Sequence, residues 1–193
     1  MVAALDVPRL VGDRIVLREW DLGDLPLVRE ASSDEYIPLV TTVPSTYSRE
    51  AGEAFIRRQW ERASAGSGYP FVIARVEDGR GLGMVGLWLR ELEEGRASLG
   101  YWVVGSARGQ GIAAEAVRTV VAWALDELHI PRLHLYVEPW NVASQRTAER
   151  AGFQREGLLR SWQQVGEERR DMYVYSLLSA DLPRPAAANS PIA

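Results

Sequence analysis

The chain has 193 residues, of which 47% are hydrophobic and 25% are charged, as is usual for one soluble globular domain. It contains no cysteine and only two histidines, which excludes disulfides and thiolate chemistry and leads us to expect no metal site. The net charge of −4 provides no positive field for nucleic acid. Residues 1–10 contain no apolar signal segment, and no apolar run approaches the ~20 residues that cross a bilayer. We therefore expect a cytoplasmic protein without a nucleic-acid or membrane partner.

The spacing of apolar residues predicts a mixed α/β domain built around one sheet. Strands are predicted by alternation or by short apolar runs, and helices by apolar positions three and four residues apart between capping residues. In chain order the elements are a strand at 14–18, a helix from Asp24 to about Ala31, a helix from Ser48 to Gly66, strands at 71–76, 84–89 and 97–104, a long helix from Ala113, a strand at 133–137, a short helix between Asn141 and Gly152, and a strand at 172–178. We expect residues 1–182 to form the domain and the Pro- and Ala-rich residues 183–193 to be a disordered tail.

Two glycine-rich segments have the spacing of nucleotide-binding loops. Residues 81–86 spell G-x-G-x-x-G, but a turn is predicted before them and a strand after them, whereas a dinucleotide site needs a strand before and a helix after. We therefore interpret the glycines of residues 81–86 as part of a hairpin turn and not as a nucleotide-binding loop.

The second segment, Arg108-Gly109-Gln110-Gly111-Ile112-Ala113, follows a predicted strand and begins the long helix. Glycines let a ligand approach the backbone closely, and the free amides of a first helical turn form an anion site, so this segment predicts phosphate or pyrophosphate binding. No lysine follows the glycines, which excludes a triphosphate P-loop. A nicotinamide site is a distant alternative, because about a hundred residues with three antiparallel strands precede the loop.

Two blocks of sequence give a specific family resemblance. The segment Leu99-Gly100-Tyr101-Trp102-Val103-Val104, continued by Arg108-Gly109-Gln110-Gly111, resembles motif A of the GNAT acetyltransferase superfamily. The segments Asn141-Val142-Ala143-Ser144 and Ala151-Gly152-Phe153 resemble the block that follows motif A in that family. With residues 14–18, these blocks look like the ribosomal-protein N-terminal (alanine/serine) acetyltransferases. The resemblance implies a mixed, mostly antiparallel sheet with helices on both faces and a splayed central strand pair.

The resemblance also implies a site for acetyl-CoA. The pantetheine arm would bond to backbone groups near Val103 and Val104 and to Asn141. The pyrophosphate would lie on the amides of Arg108, Gly109, Gln110, Gly111, Ile112 and Ala113. Ser144 would lie close to the cofactor sulfur.

For catalysis we expect Ser144 to donate a hydrogen bond to the leaving thiolate and an amide near Val103 to polarise the thioester carbonyl. Relatives often carry a tyrosine acid where this chain has Ala148 and a glutamate where it has Ser98, so neither group is present here. Glu138 is our first candidate for the general base, ahead of Glu35 and Glu91. Structural alternatives are an exposed strand-end carboxylate for Glu138, a residue satisfying the first helical turn for Ser144, and a helix N-cap for Asn141.

The sequence therefore predicts an enzyme that moves an acetyl group from acetyl-CoA to a primary amine, either a protein N-terminus or a small molecule. One alternative is transfer of another acyl group such as succinyl, and another is a non-catalytic acyl-CoA-binding module. A homodimer would suit the subfamily.

Overall fold

One sheet of eight strands forms the centre of the molecule in the computed structural model, which describes residues 4–181. The strands are β1 Leu10–Val11, β2 Ile15–Arg18, β3 Gly68–Arg75, β4 Gly81–Trp88, β5 Arg96–Val103, β6 Arg132–Val137, β7 Gln154–Val165 and β8 Glu168–Leu178. The helices are α1 Leu25–Ser32, α2 Ile37–Val40, α3 Arg49–Ser64, α4 Ile112–Asp126 and α5 Val142–Arg150. The predicted tail, residues 183–193, lies outside the described residues.

The strand order is β1-β2-β3-β4-β5-β6-β8-β7. Among the described strands, only β5 and β6 pair in parallel, and all other neighbours are antiparallel. The parallel pair is joined through α4, as a parallel connection requires a crossover. The expected mixed, mostly antiparallel sheet is confirmed.

Helices cover both faces of this sheet. On one face, Trp102 of β5 lies 6.3 Å from Trp20, which packs edge-on against Phe55 of α3. On the other face, Trp123 of α4 packs edge-on against Phe71 of β3 at 5.8 Å. Successive strand residues point to opposite faces, so the neighbours Tyr101 and Trp102 belong to different layers.

Local sequence explains where the helices begin. The Ser48 side chain accepts a hydrogen bond from the Ala51 amide, as predicted for the start of α3. Asp24 precedes α1 without capping it, and its carboxylate instead pairs with Arg18 at 2.7 Å. The four-residue α2 was not predicted from the sequence, because it is too short to show a helical period.

The interpretation of residues 81–86 as part of a hairpin turn was wrong, because they lie inside β4. These glycines serve close packing. A Cβ on Gly83 would lie 2.2 Å from the Trp102 carbonyl oxygen, and a Cβ on Gly86 would lie 2.4 Å from the Trp88 indole. Neither position could hold a side chain without moving its neighbours.

The last strand was also incompletely predicted. Residues 154–178 form a hairpin, β7 and β8, with a turn around Gly166, rather than one strand at 172–178. Most β7 side chains are exposed, so the strand shows no alternation between apolar and polar residues.

Candidate active site

A gap opens in the middle of the sheet between β5 and β6. The two strands pair over Arg96–Ser98 and Arg132–His134 only. Beyond Ser98, β5 continues to pair with β4, and beyond His134, β6 continues to pair with β8. The splayed strand pair implied by the resemblance is therefore present.

Backbone groups of β5 face this gap. The Val104 amide donates to the Leu82 carbonyl oxygen at 3.0 Å, so Val104 points towards β4. Because bonding directions alternate along an antiparallel ladder, Val103 and Tyr101 point away from β4 and into the gap. Val103 and Val104 were both expected to bond the pantetheine arm through their backbone groups, and of these two Val103 has this orientation. The Val104 amide is already bonded to Leu82. Tyr101 also faces the gap, but the sequence did not predict it as a contact of the pantetheine arm.

The glycine loop at the start of α4 presents free amides. Gly109 and Gly111 both have a φ of 77°, which turns the chain so that successive amides point outward. Within residues 4–181, the amides from Gly109 to Ala113 have no hydrogen-bond acceptor. The Arg108 amide, by contrast, donates to Gly105 at 3.3 Å. A Cβ on Gly109 would meet no atom within 4 Å, so the loop is open to a ligand.

The Arg108 side chain links this loop to β5. Its Nε donates to the Val103 carbonyl oxygen at 2.9 Å, and its Nη2 lies 2.6 Å from the Asp34 carboxylate. Burial opposes the charge on Asp34, but the amides of Ile37 and Tyr36 and the Arg108 guanidinium together lower the pKa of Asp34. Arg108 thus fixes the end of β5, and its charge beside the loop is partly neutralised.

A second arginine, Arg14, connects the glycine loop to the first turns of α4. The Arg14 amide and Nε donate to the Glu115 carboxylate at 2.8 and 3.0 Å, and Nη1 donates to the Gln110 carbonyl oxygen at 3.0 Å. Glu115 is only 5% exposed. Although burial raises the pKa of Glu115, the hydrogen bonds from Arg14 outweigh it and lower that pKa.

Ser144 and Asn141 lie together at the start of α5. Asn141 accepts a hydrogen bond from the Ser144 amide at 3.0 Å, which confirms the predicted N-cap. The Tyr101 hydroxyl lies 2.8 Å from Ser144 Oγ and donates to the Ser144 carbonyl oxygen at 3.0 Å. Burial raises the pKa of Tyr101 to about 12. The predicted Ser144 therefore has a hydroxyl partner, 43 residues away in the chain, that sequence patterns could not reveal.

Glu138 lies at the end of β6 and is buried, with 3% exposure, so the alternative of an exposed carboxylate is wrong. The Trp140 indole donates to its Oε2, while its Oε1 has no hydrogen-bond partner within residues 4–181. Burial, followed by the nearby Glu138 charge, raises the pKa of Tyr36 to about 12. Tyr36 also packs edge-on against Trp140 at 4.9 Å. A carboxylate buried with one free oxygen is costly unless a cation approaches it.

The other two base candidates are placed differently. Glu35 is exposed. Glu91 pairs with Arg96, so its carboxylate is engaged away from the gap. Ser98, at the position of the missing family glutamate, lines the same cavity as Glu138.

A cavity of about 650 Å³ contains this group of side chains. Glu138, Asn141, Ser144 and Tyr101 line it on the side of the gap. Apolar and aromatic residues line much of the remainder, among them Phe55, Met84, Trp88, Trp102 and Met172, together with polar and basic side chains. Trp140 and Trp162 are 58% and 47% exposed and are not part of this lining, whereas Gln163 and Gln164 of β7 are. The β7–β8 hairpin therefore reaches the cavity.

Comparison with known proteins decides the family. The family model described as "Acetyltransferase (GNAT) domain" matches residues 14–154. The chain belongs to the GNAT acetyltransferase family. This acetyltransferase is 29% identical to the uncharacterised N-acetyltransferase p20 of Bacillus licheniformis over 173 residues, 89% of this chain and 97% of p20.

Solved structures share the fold of this acetyltransferase. RimJ of Mycobacterium smegmatis, solved with CoA-disulfide, superimposes with a TM-score of 0.82 at 21% identity, over 95% of this chain and 93% of RimJ. RimL, described as a ribosomal L7/L12 α-N-protein acetyltransferase in complex with coenzyme A, gives a TM-score of 0.78 at 19% identity, over 89% of this chain and 98% of RimL.

Across residues 4–181, no helix combines the length and the apolar character needed to cross a membrane. The same residues contain no group of three or more histidine or acidic side chains placed to hold a metal ion.

Proposed function

We propose that this acetyltransferase binds acetyl-CoA in the gap between β5 and β6 and transfers the acetyl group to a primary amine in the adjoining cavity. The main support for this proposal is that the glycine loop, the gap and the cavity adjoin one another. Free amides at Gly109–Ala113 lie at one end of the gap, and the buried carboxylate of Glu138 lies in the cavity beside it. The fold relatives RimJ and RimL, both solved with forms of coenzyme A, support the same cofactor.

The residues of the glycine loop fit the cofactor's pyrophosphate. Five consecutive free amides at a helix N-terminus provide donors and a positive dipole end, and the glycines leave the approach open. Asn141 and the gap-facing backbone of Tyr101 are placed to bond the pantetheine amides, and the gap-facing amide of Val103 remains available to the thioester carbonyl at the end of the arm. Coenzyme A supplies an activated thioester, so the protein has only to align the amine and move a proton.

The proposed reaction forms one N–C bond and breaks one C–S bond. Glu138 holds the amine and accepts its proton as the nitrogen attacks the thioester carbonyl. The Val103 amide donates to the carbonyl oxygen as its negative charge grows. The Ser144 hydroxyl donates a hydrogen bond to the departing sulfur, and the Tyr101 hydroxyl, 2.8 Å from Ser144 Oγ and kept protonated at neutral pH by its raised pKa, holds that hydroxyl in place. The net transfer is one proton from nitrogen to sulfur.

We propose an α-amine as the acceptor, such as a protein N-terminus. An α-amino group titrates near ~7.7–8.0 and a lysine near ~10.4, so an α-amine is neutral far more often at pH 7 and needs less help from the base. RimL, a fold relative described as an α-N-protein acetyltransferase, supports the same class of acceptor. Both the donor and such acceptors occur in the cytoplasm, where we place the enzyme. A homodimer is a further expectation, to be checked by light scattering.

The test is a transfer assay with acetyl-CoA and a set of amine acceptors. We expect release of free thiol that depends on the acceptor, with a mass increase of one acetyl group on the peptide α-amine. The same assay with succinyl-CoA addresses the alternative donor. Binding of acetyl-CoA without transfer to any amine would contradict the enzyme and favour the non-catalytic module.

A further inference from the structure

The end of the cavity near Trp88 is positively charged. Among the residues that line the cavity, the charged ones are Glu138, Arg62 and Arg90. Arg62 is half-buried in the last turn of α3, with its guanidinium 5.1 Å from the centre of the Trp88 ring. Arg90 follows the end of β4 and is exposed.

These two guanidiniums lack acidic partners. Within residues 4–181, no carboxylate oxygen lies within 4.0 Å of Arg58, Arg62 or Arg90. In the described part of the chain, Arg62 donates only to the neutral oxygens of Gln59 and Thr42, at 2.8 and 3.4 Å. Burial, then repulsion from Arg58 and Arg90, lowers the pKa of Arg62. A cluster of like charges at a half-buried position is unfavourable until an anion joins it.

The spacing between the two charged ends is set by the sheet. Trp88 pairs with Ser98, and Ser98 pairs with His134, so all three lie at one level. Glu138 follows His134 by four residues along β6, which corresponds to about 13 Å at ~3.3 Å per residue. The Trp88 indole extends from its own backbone over Gly86 and towards Gly100, where an added Cβ would lie 3.5 Å from the indole nitrogen. Arg62 packs on this indole, so its guanidinium lies roughly two residues further along the sheet towards Glu138. Along the strands the two ends are therefore roughly 7–13 Å apart. Because β4 and β6 are separated by β5, a further distance of roughly 10 Å lies across the sheet, so the full separation is roughly 12–16 Å.

We propose that the acceptor is an amine that also carries an anion, a carboxylate or a phosphate, which Arg62 and Arg90 bind while Glu138 holds the amine. This inference rests on the proposed function and adds the substrate class. In an extended peptide, residues rise about 3.3–3.6 Å each. An acidic side chain at the second to fourth position of an N-terminal segment therefore spans the two ends. Arginine suits this role because its planar fork of donors matches carboxylate and phosphate oxygens.

The helix dipole offers a purely structural reason for Arg62, since a cation is favourable in the last turn of a helix. Such a role would affect stability but not the choice between acceptors. The readout must therefore be a ratio of kcat/KM values for two acceptors that differ only in charge.

The test uses tetrapeptide amides Ala-Ala-Glu-Ala and Ala-Ala-Gln-Ala as acceptors. With the native enzyme we expect kcat/KM to be about tenfold higher for the glutamate peptide, in line with one charge-assisted hydrogen bond. Arg62→Gln and Arg90→Gln should each reduce this ratio towards one. Arg57→Gln, on the exposed side of the same helix, should leave the ratio unchanged. A second pair, 7-aminoheptanoate and its amide, distinguishes a small acidic amine from a peptide as the source of the anion.

Equal use of the charged and neutral members of both pairs by the native enzyme would overturn the anion site while leaving acetyl transfer intact. A tenfold ratio that persists in both arginine variants would overturn the assignment to Arg62 and Arg90. Failure to acetylate any amine would overturn the proposed function and this inference together. Arg90→Gln changes an exposed residue at a strand end, so it keeps the test decisive if Arg62→Gln does not fold.

Discussion

At the scale of single residues, the candidate site contains buried polar groups, and one of them lacks a hydrogen-bond partner within residues 4–181. Glu138 is the clearest case, because it is 3% exposed and one of its oxygens has no partner within residues 4–181. Ser144 and Tyr101 form a hydroxyl pair on the other side of the gap. A fold that needed only stability would fill these positions with apolar side chains, so their chemistry points to function.

The Glu138→Gln variant tests the general base. It preserves the shape of the side chain but cannot accept a proton, so we expect kcat/KM for an α-amine to fall by about 10²–10⁴. The affinity for acetyl-CoA, measured by calorimetry, should stay within twofold. Glu35→Gln is the matched control, because Glu35 is exposed. Native turnover in Glu138→Gln would show that the base is elsewhere.

The variants Tyr101→Phe and Ser144→Ala test whether the two hydroxyls act as one unit. If Tyr101 acts through Ser144, the double variant should be no slower than Ser144→Ala alone, since coupled residues are not additive. The measurement is kcat with saturating acetyl-CoA for the two single variants and the double variant. Losses that simply multiply would mean that Tyr101 has a separate role.

At the scale of elements, sequence and structure agree where a periodic pattern coincides with one buried face. The helix starts at Ser48 and Asn141 were predicted because capping depends on residues within a few positions of each other. The hairpin strand β7 was missed because it is exposed on both faces. The glycines at 81–86 were misplaced because their packing against Trp88 and Trp102 involves contacts that no local pattern records.

The candidate site shows the same division. The places of the glycine loop, Asn141 and Ser144 at helix starts could be predicted because motif spacing is local in sequence, and their roles in binding and catalysis stay predictions. The Tyr101–Ser144 contact joins residues 43 positions apart, and the burial of Glu138 depends on how α2 and β6 meet. Such contacts depend on tertiary packing, which the sequence pattern does not reveal.

Gly109→Ala tests the phosphate-binding role of the loop, with Gly79→Ala as its control. Both glycines have positive φ, 77° and 71°, and an added Cβ would meet nothing within 4 Å at either position. The two variants should therefore lose similar stability, about 1 kcal/mol, from the left-handed conformation alone. We expect only Gly109→Ala to weaken acetyl-CoA binding, by tenfold or more in calorimetry. Equal affinities in both variants would place the phosphates elsewhere.

At the scale of the whole molecule, the composition makes the dependence of stability on alkaline pH simple to interpret. All 22 basic side chains are arginine and there is no cysteine, so the seven tyrosines are the side chains that titrate between about pH 9 and 12. Burial raises the pKa of Tyr101 to about 12. The pKa of Tyr36 also rises to about 12, and burial is the largest cause of that rise. The folded protein therefore keeps protons that the unfolded chain releases near pH ~10.

The sign of the pH dependence follows from that difference. A raised pKa in the folded state contributes stability below the unfolded value, and this contribution is lost as the pH rises from about 10 to 12. We expect the free energy of unfolding in urea to fall across this range, with Tyr101 contributing about 3 kcal/mol. Tyr101→Phe should show a correspondingly shallower fall. An identical fall in the variant would mean that Tyr101 is not protected from ionisation.

The most direct measurement is amide hydrogen exchange of the native protein with and without acetyl-CoA. We expect slower exchange for the amides from Gly109 to Ala113, which have no acceptor within residues 4–181, and for the gap-facing amides of Tyr101 and Val103. NAD and ATP at the same concentration should leave these amides unchanged. Protection by NAD, or acetyl-CoA protection confined to other parts of the chain, would contradict a coenzyme A site in the gap between β5 and β6.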